Sequence, residues 1–260
     1  MLLINPNNRI RSEFAACEPP LWAGLIASYH NAPILDAEAM DLTASQTADM
    51  VRNFNEKDVL IVVMGNNPSV SSTPKMAVAE ELAQLLPDRN VSMTGIHPIA
   101  AGCSRPVIKQ AFEGTPSIPF DRLPMHLYRA HNWHCLDGSL RTPYASIYTS
   151  LGCPFDCYYC NIHALYPTHQ VQLRDVRDIW TEVDALVLNY GVRNIKIWDE
   201  LFALDEKRVT RICEAFAFYD LNIWAYARLD TITEKMLRVM KWGGINWLAY
   251  GFESVTDPKF

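Results

Sequence analysis

The sequence has little positive charge and no long apolar stretch, and both absences narrow the functions open to it. Its 260 residues carry 23 Lys and Arg against 29 Asp and Glu, a net charge of −6 without any basic run. Nucleic-acid-binding surfaces need clustered positive charge, so none is expected here. The longest apolar stretches, such as residues 59–64, have only the length of a strand. A membrane-spanning helix needs about 20 apolar residues, so membrane insertion is not expected either.

The first residues also lack a secretory signal, because Met1 to Pro6 has neither a basic start nor a long apolar centre. Four of the seven cysteines are scattered singly and are interpreted as buried or free thiols: Cys17, Cys103, Cys135 and Cys213. Nothing in their spacing suggests disulfides. Cysteines without export predict a reducing, cytoplasmic location.

The other three cysteines, Cys153, Cys157 and Cys160, lie together in the stretch TSLGCPFDCYYC. Four-iron clusters are normally held by four thiolates. Three thiolates without a fourth partner predict a cluster with one iron open to a small molecule. Zinc is the alternative, because a tetrahedral zinc ion needs four ligands and His163 is near enough in sequence to supply the fourth.

The second half of the chain alternates between strand and helix patterns. Four strands joined by three helices indicate parallel βα units. The patterns predict strands over 145–149, 194–198, 222–227 and 245–250. They predict helices over 173–188, ending at Asn189 to Gly191, over 206–219 with Asp205 as cap, and from Thr231 or Thr233 to Lys241.

Chemically active residues follow each predicted strand. The cysteines follow the first, Asp199-Glu200 the second, Arg228 the third and Glu253-Ser254 the fourth. Parallel βα folds place their sites at the carboxyl ends of the strands, so these residues are expected to converge. For any one of them alone, helix capping or mutual pairing is the alternative.

The cysteine spacing, together with Gly152 and Pro154-Phe155, resembles the radical S-adenosylmethionine (SAM) superfamily. The resemblance implies a 4Fe–4S cluster whose open iron binds the amino and carboxylate groups of SAM. It further implies that one-electron reduction cleaves SAM to a 5'-deoxyadenosyl radical. An electron donor such as a flavodoxin or ferredoxin is implied as well.

The same resemblance assigns roles to the residues after the strands. Glu200, with Asp199 next, is the candidate acceptor for the SAM amino group, and Tyr159 offers its backbone to the adenine. Arg228 resembles the arginine that approaches the SAM carboxylate. Glu253 resembles an acid near the ribose or methionyl end. A zwitterionic methionine does need an acceptor for its ammonium and a donor for its carboxylate, for which arginine offers a bidentate fork.

The first hundred or so residues form a second βα series. Strand patterns cover 2–4, 58–64 and 91–94, and helix patterns cover 22–29 and 75–86. In order, these segments resemble the cobalamin-binding domain of many radical SAM proteins. The resemblance is carried by Asn5-Pro6, Pro19 to Leu21, Asp36 to Asp41, Gly65 with Ser69 to Thr73, and Gly95 to Pro98.

Gly65 and Gly95 are the candidate cobalamin-binding residues, because glycine at a strand end permits close approach of a flat ligand. Valine at either position is expected to block binding without unfolding the chain. The histidine signature of one cobalamin class is absent, since residues 5–10 read NPNNRI. This predicts cobalamin without a histidine ligand, or no cobalamin. No fifth βα unit is evident between Gly95 and Leu123, so the domain is expected to be shortened.

The sequence therefore predicts an α/β protein in three parts. Residues 1–115 form a Rossmann-like, cobalamin-binding-like domain, 116–143 a linker, and 144–260 a partial radical SAM barrel of about four βα units. Such a barrel leaves an open edge, which a partner, a dimer mate or the first domain is expected to cover if the sequence is not a fragment. In the linker, His131, His134 and Cys135 form either a metal site or a packing segment.

The predicted function is an iron–sulfur enzyme that cleaves SAM reductively to act on a small or unknown substrate. With cobalamin present, methyl transfer or a ring-forming rearrangement is expected. Two alternatives stay open: a truncated, non-catalytic cofactor-binding module that acts with a partner, and a zinc-binding structural domain.

Overall fold

The computed structural model of the chain consists of parallel strands that alternate with helices, as the sequence patterns predict. The residues it describes are 1–9, 12–66, 68–100, 102, 114, 116–160, 162–166 and 168–251. The chain forms two units, Met1–Asn132 and Trp133–Phe260, and the division falls inside the predicted linker. No helix among the described residues is long and apolar enough to cross a membrane.

The first unit contains one four-stranded parallel sheet in the order β2-β1-β3-β4. The strand order reverses beside β1, so the crevice between the carboxyl ends of β1 and β3 is a topological switch point, the usual ligand position in such sheets. The elements are β1 (Leu2–Asn5), α1 (Leu21–Tyr29), β2 (Ile34–Asp36), α2 (Ala44–Val51), β3 (Asp58–Val62), α3 (Pro68–Gln84), β4 (Asn90–Thr94) and α4 (Ile96–Ala100).

Apolar residues cover both faces of β1, which is buried throughout. Leu2 and Ile4 join a core cluster that includes Val51 of α2 and Leu82 of α3. A strand buried on both faces must be continuously apolar, which is why β1 and β3 were readable from the sequence.

The patterns missed β2, α2 and α4. β2 has only three residues and α2 only eight, both too short for a clear period. A capping box was nevertheless readable: the Thr43 side chain accepts from the Gln46 backbone N–H, and the Gln46 side chain accepts from the Thr43 N–H. The predicted lack of a fifth βα unit concerns residues that lie mostly outside the described ranges.

The second unit contains a parallel sheet in the order β10-β9-β8-β5 and a small antiparallel hairpin of β6 with β7. In the described residues the sheet does not close into a barrel, and β5 and β10 are its edges. The elements are β5 (Tyr144–Ile147), β6 (Ser150–Leu151), β7 (Gln172–Leu173), α5 (Val176–Tyr190), β8 (Asn194–Ile197), α6 (Glu206–Phe216), β9 (Asn222–Ala227), α7 (Glu234–Trp242) and β10 (Ile245–Tyr250).

Several local predictions are confirmed in this unit. Asp205 caps α6 by accepting from Arg208 N–H, and Thr233 caps α7 by accepting from Met236 N–H. Gly191 ends α5 in the left-handed conformation. The predicted start of the first helix at residue 173 is wrong, because Gln172 and Leu173 pair with β6 and Asp175 caps the helix instead.

The linker residues His134 and Cys135 pack against the amino-terminal end of the second sheet. The Nε2 atom of His134 lies 3.0 Å from the carbonyl oxygen of Asn222, and Asn222 Nδ2 donates to the His134 carbonyl at 2.8 Å. The Cys135 thiol lies 3.7 Å from Asn194 Oδ1. His131 instead lies 3.2 Å from the Phe14 carbonyl oxygen, in the first unit. Among the described residues the three do not gather at metal-ligand distance, which favours the packing interpretation.

Candidate functional site

The cysteine loop, residues 152–160, leaves the carboxyl-terminal end of β6 and begins with a glycine that the fold requires. Gly152 has φ of +95°, and a Cβ at this position would collide with the carbonyl oxygen of Gln170. Gln170 lies just before β7, the partner of β6. The hairpin therefore brings the chain before and after the loop so close that only glycine fits.

The three cysteines are free and accessible on this loop. Cys153 and Cys157 are half-buried and Cys160 is exposed, and a turn joins Cys160 N–H to the Cys157 carbonyl oxygen at 2.9 Å. Burial raises the pKa of the Cys153 thiol, so metal binding there would displace a proton.

The three sulfur atoms do not form a preassembled site for a single metal ion. In the described part of the chain, the three do not all lie within 4.8 Å of one another. Tetrahedral zinc with Zn–S bonds of about 2.3 Å needs sulfur atoms roughly 4 Å apart. Four-iron clusters are normally bound by cysteine thiolates, so the chemistry of these three donors fits a 4Fe–4S cluster with one open iron.

His163 does not fit the zinc alternative. Its Nε2 atom lies 2.7 Å from the Phe155 carbonyl oxygen and its Nδ1 atom 3.0 Å from the Tyr166 carbonyl oxygen. Each ring nitrogen thus faces a backbone carbonyl oxygen, and these bonds raise the pKa of His163. Ligand atoms of Asp156, His163 and His169 do lie within 4.8 Å of one another, but both ring nitrogens of His163 are already bonded to the backbone and not directed at the cysteines.

The segment before the cysteines is held by two arginines. Arg174 donates to the Tyr148 carbonyl oxygen at 2.8 Å, pairs with Glu182 at 2.7 Å and lies over the Tyr148 ring at 4.6 Å. Arg208 of α6 donates to the Thr149 carbonyl oxygen at 2.8 Å. These charged donors add to the bonds of the buried segment, since the Thr149 carbonyl oxygen also accepts from the Arg174 backbone N–H at 3.0 Å.

Two acidic side chains, Asp199 and Glu200, accept hydrogen bonds from N–H and hydroxyl groups of residues 149–152. Asp199 accepts from the Thr149 backbone N–H at 2.6 Å, from the Thr149 hydroxyl, and from the Ser150 hydroxyl at 2.7 Å. Glu200 accepts from the Gly152 N–H at 3.1 Å. We call these four side chains the anchor residues: Arg174, Arg208, Asp199 and Glu200.

The sequence patterns missed Arg174, Arg208 and Glu182. One signal was available, because Glu182 interrupts the buried apolar stripe of α5 beside Ile179 and Val183. A charged residue in such a stripe predicts a buried partner. Nothing in the sequence indicated which arginine it would be.

Burial raises the pKa of Glu200 to about 7 and also raises the pKa of Asp199. The Asp199 carboxylate is buried and faces Thr149 and Ser150. Glu200 is half-buried and also contacts the Tyr166 hydroxyl. Of the two, Glu200 is the acid that lies beside the first cysteine, since Gly152 directly precedes Cys153.

Arg228, directly after β9, lies against the cysteine loop. Its Nη1 atom lies 3.3 Å from the Cys157 sulfur, and its guanidinium lies over the Phe155 ring at 4.1 Å. Its Nε and Nη2 atoms form a fork on Asp230, at 2.9 and 2.7 Å, and this pairing raises the pKa of Arg228 above its usual range.

Two predicted residues of the site remain, Tyr159 and Glu253. Tyr159 is partly exposed in the turn between Cys157 and Cys160, with its ring 5.6 Å from that of Tyr158. Glu253 lies outside the described residues. Residues 153–160, Glu200 and Arg228 are therefore the predicted set that the structure brings together.

In the first unit, the close approach of the Val63 backbone requires a glycine at position 95. Gly95 has φ of +136°, and a Cβ there would collide with the backbone of Val63. The expectation that Gly95→Val leaves the chain folded is therefore wrong, because the missing Cβ makes room for the protein's own carbonyl group. Gly65 follows β3 and is half-buried.

The switch-point crevice is lined by polar groups from several loops. Asn66, after β3, accepts from the Leu21 N–H at 2.7 Å and donates to the Pro19 carbonyl oxygen at 2.9 Å, so it caps α1 from another loop. At the end of β1, Asn5 accepts from the buried Lys75 ammonium at 2.6 Å.

Asp36, at the end of β2, belongs to the same network, with Asn5 Nδ2 donating to it at 2.8 Å and the Tyr128 hydroxyl at 2.7 Å. Lys75 also pairs with Glu38 at 2.7 Å. These side chains bond one another and are buried, so they stabilise this edge of the sheet and do not by themselves indicate a corrin.

Comparisons with known proteins support the fold. No family model matches the chain. An uncharacterized methyltransferase of Pyrococcus horikoshii is 27% identical over an alignment of 314 residues, which covers 98% of this chain and 66% of that protein.

Among solved structures, the apo form of OxsB, a cobalamin-dependent S-adenosylmethionine radical enzyme, matches with a TM-score of 0.58 at 14% identity. The match covers 98% of this chain and 44% of OxsB. The chain thus spans just under two thirds of the curated relative and less than half of the solved one. Its mixed α/β fold with two parallel sheets matches the fold of the part of OxsB that it covers.

Proposed function

We propose that the chain is the cofactor-binding part of a radical SAM enzyme. The observation that carries the proposal is the loop of three free cysteines with Arg228 and Glu200 beside it. The fold shared with OxsB and the similarity to a protein named a methyltransferase support it. A cluster bound by Cys153, Cys157 and Cys160 would supply one electron to SAM.

The protein's own residues would bind and orient SAM. Glu200, with a pKa near neutrality, accepts the ammonium group in its ionised form, and Arg228 donates to the carboxylate while it shares its fork with Asp230. The backbone at Tyr159 meets the adenine. Asp199 anchors the loop and is the second candidate for the ammonium, and Glu253 is proposed for the ribose or methionyl end.

Anaerobic reconstitution of the full chain with iron and sulfide tests the cluster. The wild type should bind iron and sulfide with the absorbance of a cubane, and Cys153→Ala, Cys157→Ala and Cys160→Ala should each lose it, because three thiolates leave no spare ligand. Cys213→Ala, at a buried cysteine outside the loop, is the matched control. A wild type that binds zinc tightly and takes up no iron would overturn the proposal.

Binding of SAM to the reconstituted protein tests the two SAM contacts. Glu200→Ala and Arg228→Ala should weaken binding in a titration while the iron content stays at the wild-type level. Each variant removes a charge that pairs with one end of the zwitterion. If either variant binds SAM as tightly as the wild type, the role of that residue is misassigned.

Reductive cleavage of SAM separates an enzyme from a non-catalytic module. After reduction with dithionite, an enzyme should release 5'-deoxyadenosine. In the cell a flavodoxin or ferredoxin would serve as donor. A cluster that assembles without any SAM cleavage would favour the module that acts through a partner, and the partly exposed edge strand β10 offers that partner a strand position.

A second proposal is that the first unit binds cobalamin without a histidine ligand, so that the reaction is a methyl transfer or a rearrangement. The switch-point sheet and the fold shared with OxsB favour it. Equilibrium dialysis with hydroxocobalamin should show stoichiometric binding, and Gly65→Val should abolish it. No retained cobalamin well above micromolar concentration would leave a SAM radical enzyme without a corrin.

A further inference from the structure

The contact between Arg228 and Cys157 joins two residues that are 71 positions apart in sequence. The guanidinium is held on two other sides as well, by the fork on Asp230 and by the Phe155 ring. Phe155 belongs to the cysteine loop itself. The pair with Asp230 and the Phe155 ring therefore hold the guanidinium in the position where its Nη1 atom meets the Cys157 sulfur.

The fork of Arg228 points to a role beyond SAM binding. The Nε and Nη2 edge could bind a carboxylate bidentately, but it is already paired with Asp230, two residues further along the chain after β9. The nitrogen directed at the cysteine loop is Nη1. The orientation of the side chain thus presents a single donor to the sulfur.

We propose that Arg228 sets the reduction potential of the cluster by donating an N–H group to the sulfur of Cys157. The inference rests on the proposed function, because it needs the three cysteines to hold a cluster. Reduction adds one negative charge to the cluster, and a cationic donor at a ligand sulfur stabilises the more negative state. Arg228 therefore raises the potential and makes reduction by a cellular donor easier.

A redox titration of the reconstituted full chain, without SAM, measures this effect apart from any SAM contact. The potential is read from the paramagnetic signal of the reduced cluster as dithionite is added with mediator dyes. Arg228→Met should shift the potential to a more negative value. The matched control is Arg238→Met, which removes the same charge from an exposed position on α7 and should leave the potential unchanged.

A second measurement uses the wild type alone, so that it does not depend on the folding of a variant. With arginine labelled with 15N, pulsed electron paramagnetic resonance of the reduced cluster should detect a weakly coupled 15N nucleus. Unlabelled protein lacks that coupling.

The outcomes separate this inference from the proposed function. A cluster that assembles in the wild type, with equal potentials in Arg228→Met and wild type, overturns the role of Arg228 and leaves the cluster proposal intact. Absence of the 15N coupling overturns it equally. A wild type that assembles no cluster overturns the proposed function itself.

Discussion

At the scale of single residues, the site combines buried charges with backbone partners. Asp199 and Arg174 are almost completely inaccessible, and each is bonded to the segment 148–150 before the cysteine loop. A buried charge is costly unless it is paired or hydrogen-bonded, and here the backbone supplies the partners. These side chains therefore position the cysteine loop.

Removal of the Asp199 carboxylate should destabilise the second unit. Asp199→Ala leaves the Thr149 N–H and the hydroxyls of Thr149 and Ser150 without their acceptor, at a cost on the order of 3 kcal/mol. Asp49→Ala, which removes an exposed partner of Arg52, is the control and should cost under about 1 kcal/mol. Urea unfolding measures both, and equal midpoints for the two variants would contradict the anchoring role.

Asp36 makes the stability of the first unit depend on pH, and the direction of its pKa shift gives the sign of that dependence. Burial raises its pKa above the ordinary 3.8, so between that value and the raised one the folded protein binds more protons than the unfolded protein. Its contribution to stability therefore falls as the pH rises through this interval.

Asp36→Asn should remove that component. The free energy of unfolding, measured in urea from pH 4 to 8, should then decline less steeply with pH in the variant than in the wild type. The comparison uses slopes, so a constant offset from altered hydrogen bonds does not affect it. Parallel curves would show that the folded pKa of Asp36 is not raised.

At the scale of elements, the β6–β7 hairpin determines where the cysteine loop begins. Two residue pairs close it, Ser150 with Leu173 and Leu151 with Gln172. Leu173, the last residue of β7, is followed directly by Arg174, so the hairpin also delivers an anchor residue. The loop is thus positioned by a short element that has almost no sequence signature of its own.

Gly152→Ala should disturb this element more than its backbone conformation alone explains. A residue with positive φ costs about 1–2 kcal/mol when glycine is replaced, and the collision with Gln170 adds to that cost. Gly138→Ala is a matched control, because Gly138 has φ of +90° and open space around its Cβ position. Gly152→Ala should lower both the urea midpoint and the iron content after reconstitution, whereas Gly138→Ala should lower only the midpoint. Equal effects on both readouts would contradict the role of the close approach.

At the scale of the whole molecule, the chain consists of two units that each have a parallel sheet and a core of their own. Units with separate cores commonly unfold as separate cooperative steps. Their tryptophans allow a test, because Trp22 is in the first unit and the others are in the second: Trp133, Trp180, Trp198, Trp224, Trp242 and Trp247.

Unfolding in urea should therefore give different curves by different probes. Tryptophan fluorescence should follow the second unit, most cleanly in Trp22→Phe, whereas far-ultraviolet circular dichroism follows both units. Superimposable curves at every urea concentration would show a single cooperative unit instead.

Much of the fold was predictable because its determinants are local. The predicted bounds of β9 and β10 are confirmed, as are the caps at Asp205 and Thr233 and the end of α5 at Gly191. Each depends on a few neighbouring residues whose hydrogen bonds close within one turn, or on an apolar run of strand length. β2 and the β6–β7 hairpin were missed because elements of two or three residues have no measurable period.

The sequence by itself determined the order of the βα units and the cysteine spacing, since both are written in consecutive residues. Only the tertiary structure decided which side chains meet that loop. Arg228 reaches Cys157 across 71 positions and Asp199 reaches Thr149 across 50. Parallel strands bring such distant carboxyl ends to one edge, but the pairing depends on strand register and side-chain direction. Local patterns do not encode these, so the contacts of Arg174 and Arg208 with the segment before the loop are seen only in the tertiary structure.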